Sequence, residues 1–290
     1  MTRYIGLIGY PLKHSFSSDF QQAALDYYRL DVHYHKWETS AEKLPSAIDK
    51  LRQPQNLGAN VTVPYKETVL PLIDEVDDLA KVVGAVNTIV NRAGKLVGFN
   101  TDVYGFLRAL SDDAKFEPEE KRVLILGAGG AARAVSFGLL QRKVGYLAIA
   151  NRTQSRGKAL AEFLKSYCIA KGLQTEVAVI PWKELELRKA NCQLIVNCTT
   201  IGMRYSAEES KSPLAPGAIM EDVLIYDMVY NPLETPLLKM AREAGARTLG
   251  GLPMLVYQGA ASFKLWTGKE APIDIMFAAA KKALLRNKEI

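Results

Sequence analysis

Between Lys121 and Arg156 the chain admits few folds. Arg122–Leu126 is a short apolar run, and Gly127-Ala128-Gly129-Gly130-Ala131-Ala132 follows without a gap before a helical pattern opens at Ala134, Val135, Gly138 and Leu139. A strand that runs straight into G-x-G-x-x-A and then a helix is the dinucleotide fingerprint. Its glycines allow a tight turn and let backbone N–H groups approach a pyrophosphate at the positive end of a helix. The next apolar run, Tyr146–Ala150, is followed by Asn151, Arg152, Thr153 and then Arg156. A fold that binds NAD places an Asp or Glu here for the ribose 2′-hydroxyl. No acid is present, and two guanidiniums can grip a 2′-phosphate with planar, charge-assisted forks. The pattern therefore reads as NADP rather than NAD; the competing reading makes both arginines solvated surface charges.

At 290 residues the chain is long enough for two modest domains. With 48% apolar and 23% charged residues it reads as globular rather than disordered. Its apolar stretches fall short of a membrane span, and Met1-Thr2-Arg3 leads into an apolar run without a cleavable signal pattern. Cys168, Cys192 and Cys198 are an odd count without metal-ligand spacing, which fits reduced thiols in a cytoplasm and no metal centre. The net charge of +6 is spread along the chain with no block suited to a nucleic-acid arm, and it fits small anionic ligands.

The first hundred residues alternate strand and helix. Strands are predicted at Tyr4–Tyr10, Val32–Trp37 and Gly58–Val63, and helices at Ser18–Leu30, Ala41–Arg52 and Glu67–Val83. Ala85–Asn91 and Leu96–Asn100 flank a hairpin turn at Arg92-Ala-Gly-Lys95. Residues 111–120, polar and containing Pro118, read as a linker to a Rossmann-type half. Later strands are expected at Thr175–Ile180, Gln193–Cys198, Val223–Tyr226 and near Thr248. Helices are expected at Ser155–Tyr167, Thr235–Gly245, Met254–Trp266 and Ile273–Asn287.

A second segment, Asn60-Val-Thr62-Val-Pro64-Tyr-Lys66, carries candidate chemistry. Strand alternation puts Asn60 and Thr62 on one side, Pro64 ends the strand, and Lys66 follows where open α/β sheets hold active-site groups. Adding hydride to a ketone develops alkoxide charge, which needs a proton donor or cation at the oxygen. Lys66 can serve; so can the plain reading, a surface lysine at a helix start. Asp102 is the best partner to aim that ammonium, with capping of the helix near Tyr104 as the alternative. Asn87 offers an amide toward hydroxyl groups, or toward its own backbone. Ser15 and Ser17 are two apart, so an extended segment turns both hydroxyls one way. Ser18 with Gln21 forms a capping box, which puts the serine pair before a helix N-terminus, a natural seat for a carboxylate. His14 reads as a structural hydrogen bonder, and His33 and His35 share a strand face with nothing to complete a metal site.

On these residues the chain resembles the shikimate dehydrogenase family nearly end to end. The blocks are His14-Ser-Phe-Ser17, Asn60–Lys66, Gly84-Ala-Val-Asn-Thr88, Asn100-Thr-Asp102, Gly127–Ala131 and Asn151-Arg-Thr153. They continue through Asn197-Cys-Thr-Thr-Ile-Gly-Met203, Tyr226–Pro232, Gly251-Leu-Pro-Met-Leu255 with Gln258, and Phe263–Gly268. The resemblance implies an α/β protein of two domains. Residues 1–102 with 252–290 would form a substrate-binding and catalytic domain, and 103–251 a Rossmann-type NADP-binding domain. The C-terminal helices would pack back on the first, leaving a cleft between the halves. It implies reversible NADPH-dependent reduction of 3-dehydroshikimate to shikimate, on the route to chorismate and aromatic amino acids, by a monomer or homodimer. Ser15 and Ser17 would hold the substrate carboxylate, and Thr62, Lys66, Asn87, Asp102, Tyr230 and Gln258 the ring, with Lys66 and Asp102 catalytic. Gly127, Ala128, Gly129, Gly130, Ala131, Asn151, Arg152, Thr153, Arg156, Met228 and Gly251 would contact the cofactor. Where the family usually carries Pro and then His-Asn, this chain has Ser18, Gln21 and Gln22, from which altered packing is expected.

Three other readings fit parts of the sequence. A quinate/shikimate enzyme that often uses NAD is opposed by Arg152 and, less strongly, by the serine pair. A catalytically silent NADP-binding regulator would be expected to lose Lys66 or Asp102. A methylene-tetrahydrofolate dehydrogenase of similar architecture would lack the Ser15/Ser17 seat.

Overall fold

The computed structural model describes residues 2–12, 15–186 and 191–286, and His14 lies outside them. The chain divides into two compact units, Met1–Gly105 with Leu255–Ile290, and Phe106–Met254. Among the described residues no helix is long and apolar enough to cross a membrane.

The first unit contains β1 (Arg3–Gly9), α1 (Ser17–Tyr27), β2 (Val32–Glu38), α2 (Leu44–Lys50), β3 (Asn56–Val61), β4 (Glu75–Val76), α3 (Asp78–Val83), β5 (Thr88–Arg92) and β6 (Lys95–Phe99). It also holds the first turn of α4 (Asp102–Asp112), most of α8 (Leu252–Thr267) and α9 (Ile273–Arg286). Its sheet runs β2-β1-β3-β5-β6-β4. β1 is parallel to β2 and β3, whereas β5 is antiparallel to β3 and β6. One core gathers Ile8, Ile48, Val61, Val69, Val86, Ile89 and Leu96. The predicted hairpin forms: Asn91 Oδ1 accepts from Gly94 N at 2.7 Å, holding the turn closed. The C-terminal helices do pack on this unit, α9 against α1 and α8 through Trp266 Nε1, which donates to Ile89 O at 2.9 Å.

The predicted helix Glu67–Val83 is not continuous. Pro71 lies inside it and cannot supply an interior N–H, so the chain makes a short 3-10 turn at Leu70–Leu72 and then pairs Glu75–Val76 with β6. Asp77 starts a fresh helix, its Oδ1 accepting from Leu79 N at 3.0 Å and Ala80 N at 3.2 Å. The capping box is also absent. α1 begins one residue earlier, with Phe16 at its N-cap and no side-chain cap. Gln21 turns inward and donates to Gly259 O at 2.9 Å, while Gln22 Oε1 accepts from Tyr34 N at 2.9 Å. Gln21 and Gln22 thus tie α1 to α8 and β2.

The second unit holds β7 (Arg122–Leu126), α5 (Gly130–Gln141), β8 (Tyr146–Ala150), α6 (Gln154–Lys171), β9 (Glu176–Val179), β10 (Leu194–Asn197), β11 (Leu224–Asp227), α7 (Pro236–Glu243) and β12 (Arg247–Leu249). All six strands are parallel, in the order β12-β11-β10-β7-β8-β9. Counted from β7 this is 3-2-1-4-5-6, the doubly wound order whose crevice opens beyond the carboxyl ends of the strands at the switch between β7 and β10. Apolar strand centres such as Leu124, Ala148, Ile195 and Ile225 are buried, as a parallel sheet covered on both faces requires. Residues 111–120 fall inside this unit rather than between the two, because the chain crosses from one unit to the other within α4.

Candidate active site

Lys66 lies in the turn beyond β3, and its Nζ donates to Asp102 Oδ2 at 2.6 Å. The lysine side chain is 18% exposed and the aspartate 4%. The capping alternative for Asp102 is settled by its neighbour. Asn100 Oδ1 accepts from Asp102 N at 3.1 Å and Val103 N at 3.3 Å, so Asn100 caps α4 and the Asp102 carboxylate is left for other partners. Its second oxygen accepts from Asn87 Nδ2 at 2.8 Å. That amide also lies within 2.8 Å of Thr101 Oγ1 and 3.2 Å of Gln258 Oε1.

A buried polar network sets the Asn87 amide. Asn87 Oδ1 accepts from Thr101 N at 2.8 Å, which fixes the way round of oxygen and nitrogen. Behind it, Asn60 Nδ2 donates to Asn87 O, Thr88 Oγ1 and Ser262 Oγ, while Asn60 Oδ1 accepts from the Tyr34 hydroxyl at 2.8 Å. Ser262 Oγ in turn meets Thr88 Oγ1 at 2.7 Å and Thr101 Oγ1 at 3.1 Å. Burial pushes the Tyr34 phenol far above its usual range, so it stays a neutral donor. Sequence reasoning missed Tyr34, Thr88 and Ser262 in this role. Ser262 is carried on α8, far along the chain, and no local pattern announces it.

Ser15 and Ser17 do come together, with Oγ atoms 3.3 Å apart. A turn rather than an extended segment brings this about, Ser17 N donating to Ser15 Oγ as α1 begins. Thr62 is half-buried just past β3, and Gln258 is held by its own Nε2 donating to Leu255 O at 2.7 Å. Lys66, Asp102, Asn87, Thr62, Ser15, Ser17 and Gln258 thus all belong to the first unit, and Tyr230 belongs to the second. His33 and His35 lie exposed beside Tyr4 on β2; among the described residues no cluster suited to a metal ion forms.

In the second unit the glycine loop makes a tight turn from β7 into α5. Gly127 takes φ +111°, and a Cβ there would meet Cys198 O at 3.1 Å. Gly129 caps α5 without any side-chain bond, and a Cβ at Gly129 would meet nothing within 4 Å; the first-turn N–H groups of such a helix start have no intrahelical partner. Asn151, Arg152 and Thr153 follow β8, and Asn151 Nδ2 donates to Thr153 O at 2.8 Å. Arg156 stands in the first turn of α6, where no acid is present. Arg152 is 73% exposed, and its Nη1 meets the Glu208 carboxylate at 3.1 Å. Gly251 is needed for close approach, since a Cβ would lie 2.2 Å from Met228 O.

Asp227 ends β11 fully buried, and sequence reasoning passed it by. Its carboxylate accepts from Asn197 Nδ2 at 2.9 Å, Val229 N at 3.0 Å and Thr235 Oγ1 at 2.6 Å, tying down both ends of the loop that carries Met228 and Tyr230. Burial without a cation pushes this carboxyl up to about 6.

Three family models match. Residues 7–89 match the shikimate dehydrogenase substrate binding domain, 111–202 shikimate / quinate 5-dehydrogenase, and 251–281 the shikimate 5'-dehydrogenase C-terminal domain. A shikimate dehydrogenase (NADP(+)) of Methanopyrus kandleri is 41% identical over 98% of this chain and 96% of its own. The crystal structure of shikimate 5-dehydrogenase from Thermus thermophilus in complex with NADP(H) and shikimate is similar at a TM-score of 0.84 and 36% identity. That match covers 98% of this chain and all (100%) of the other. Quinate dehydrogenase from Corynebacterium glutamicum in complex with NAD gives a TM-score of 0.87 at 32% identity, over 97% and 99% of the two chains. With its glycine loop, its lysine–aspartate pair and near full-length identity of this order, the chain belongs to the shikimate dehydrogenase family.

Proposed function

We propose that the chain catalyses the reversible NADPH-dependent reduction of 3-dehydroshikimate to shikimate, on the route to chorismate and the aromatic amino acids. The observation that carries the chemistry is the short Lys66–Asp102 contact, backed by a buried network that leaves its donors and acceptors little freedom to turn. NADPH, held by Gly127–Ala131, Asn151–Arg156, Met228 and Gly251, supplies the hydride. The uncapped α5 terminus favours the pyrophosphate, and the acid-free corner at Arg152 and Arg156 favours a 2′-phosphate.

The substrate carboxylate takes the paired hydroxyls of Ser15 and Ser17. Thr62, Asn87 and Gln258 hold ring hydroxyls, and Tyr230 is a further proposed substrate contact. As the ketone carbon accepts hydride, its oxygen develops negative charge, and Lys66 Nζ–H donates to that oxygen. Asp102 aims the ammonium and accepts from a neighbouring ring hydroxyl. In the oxidative direction the neutral Lys66 amine takes back the one proton released from the C3 hydroxyl and becomes the ammonium again. The protein works as a monomer or homodimer, and Cys168, Cys192 and Cys198, which form no disulfide among the described residues, fit a reducing cytoplasm.

Absorbance at 340 nm, followed with shikimate or quinate and NADP or NAD, tests this reading. Rapid reduction with shikimate and NADP alone is the expected result. Equal rates with quinate or NAD assign the broader quinate/shikimate activity, and silence in all four mixtures with NADPH still bound assigns a regulator.

A further inference from the structure

The acid missing after β8 is supplied from another part of the chain. Glu208, in the connection between β10 and β11, places both carboxylate oxygens at Arg152 Nη1, at 3.1 and 3.3 Å. The backbone of that connection is tied locally, Gly202 N donating to Glu208 O at 3.0 Å and Glu208 N to Ser206 Oγ at 3.2 Å, so the carboxylate is presented from an ordered turn. Arg152 and Arg156 flank the N-terminus of α6, which has no acid in its first turn and no side-chain cap. Two cations at the positive end of a helix dipole make an electropositive corner that calls for an anion.

We propose that Glu208 is the protein's own anion at the 2′-phosphate seat, occupying Arg152 when no cofactor is bound and yielding it when NADP(H) arrives, so that Glu208 tunes the preference for NADP(H) over NAD(H). The inference rests on the reading of Arg152 as the 2′-phosphate contact. The geometry favours exchange over a permanent bridge. Both contacts converge on one guanidinium nitrogen instead of forming two parallel bonds, and Arg152 is largely exposed. A phosphate brings more charge and three acceptor oxygens to the same fork. Lys211 Nζ stands 3.9 Å from Glu208 Oε1, so the displaced carboxylate keeps a cation beside it. NAD(H), with a neutral hydroxyl at the 2′ position, brings no anion there to displace Glu208.

The test is the affinity of the full chain for NADPH, NADH and adenosine 2′,5′-bisphosphate at low salt, in wild type, Glu208→Gln, Arg152→Gln and the double variant. Fluorescence titration reads the reduced cofactors and calorimetry the bisphosphate. Glu208→Gln keeps the size of the side chain while removing its charge. It is expected to tighten NADPH and the bisphosphate by about threefold to tenfold, an exposed ion pair plus the relief of phosphate repulsion. NADH should change less than about twofold, and the gain should vanish in 0.5 M salt and in the Arg152→Gln background. Unchanged or weaker NADPH binding in Glu208→Gln, with Arg152→Gln still weakening it, overturns the inference and leaves the cofactor reading standing. NADPH binding untouched by Arg152→Gln overturns that reading, and the inference with it.

Discussion

Asp102→Asn is the perturbation whose effect follows most directly from the coordinates. Asparagine keeps the shape and one acceptor. Asn87 Nδ2 still donates to Oδ1, while the new amide nitrogen faces Lys66 Nζ where Oδ2 accepted at 2.6 Å. Two donors then oppose each other, and an ammonium only 18% exposed loses its counter-ion. Breaking a buried pair from one side costs about 3–5 kcal/mol, and partial access of water to Lys66 brings this to about 2–4 kcal/mol. Since the lysine must point at the substrate oxygen in the transition state, that energy reappears in kcat/KM as a loss of about 30- to 800-fold. The assay is initial rate at 340 nm with shikimate and NADP, alongside NADPH affinity and thermal midpoint as controls for folding. NADPH affinity should stay within about twofold, because the cofactor contacts belong to other residues. A loss in kcat/KM below threefold with the fold intact would refute the assignment of Asp102 as the group that aims Lys66.

Two further predictions concern residues that hold the architecture. Asn100→Ala removes the α4 cap and the bond from Asn100 Nδ2 to Ala85 O; urea denaturation should show a loss of about 1–3 kcal/mol, and an unchanged midpoint would mean Asp102 takes over the cap. Asp227 has a folded-state pKa of about 6, raised from an ordinary 3.8 by burial. A raised value means that the folded state holds its proton more tightly, so the group favours folding below pH 4 and loses that contribution as pH rises through 6. Asp227→Asn, which cannot ionise, should therefore gain on wild type by up to roughly 3 kcal/mol between pH 4 and pH 7. A stability difference independent of pH would place the ionisation elsewhere.

The Rossmann half was legible because its signals are local. A buried strand, a glycine turn and a helix start are adjacent in the chain, and the structure sets Gly127–Gly130 at the end of β7 as the pattern required. The strands from β8 to β12 also fall where apolar runs mark them. Residues 67–83 were misread because apolar spacing continues across Pro71, while the pairing of Glu75–Val76 with β6 is a tertiary fact with no periodic mark. In the site, Lys66, Asp102 and Asn87 could be singled out by chemistry and position, but the choice between capping and pairing for Asp102 depended on Asn100, two residues away. Ser262 and Glu208 reach their partners across more than fifty positions, from a helix and a loop whose local sequence has other uses.

The central claim is that Lys66 acts on the chemical step. Pre-steady-state mixing of Lys66→Ala with shikimate and NADP, read at 340 nm, tests it most directly. The account predicts that the rate of the chemical step falls by about 10²- to 10⁴-fold while NADPH affinity stays within about twofold. A hydride-transfer rate within threefold of wild type would contradict it.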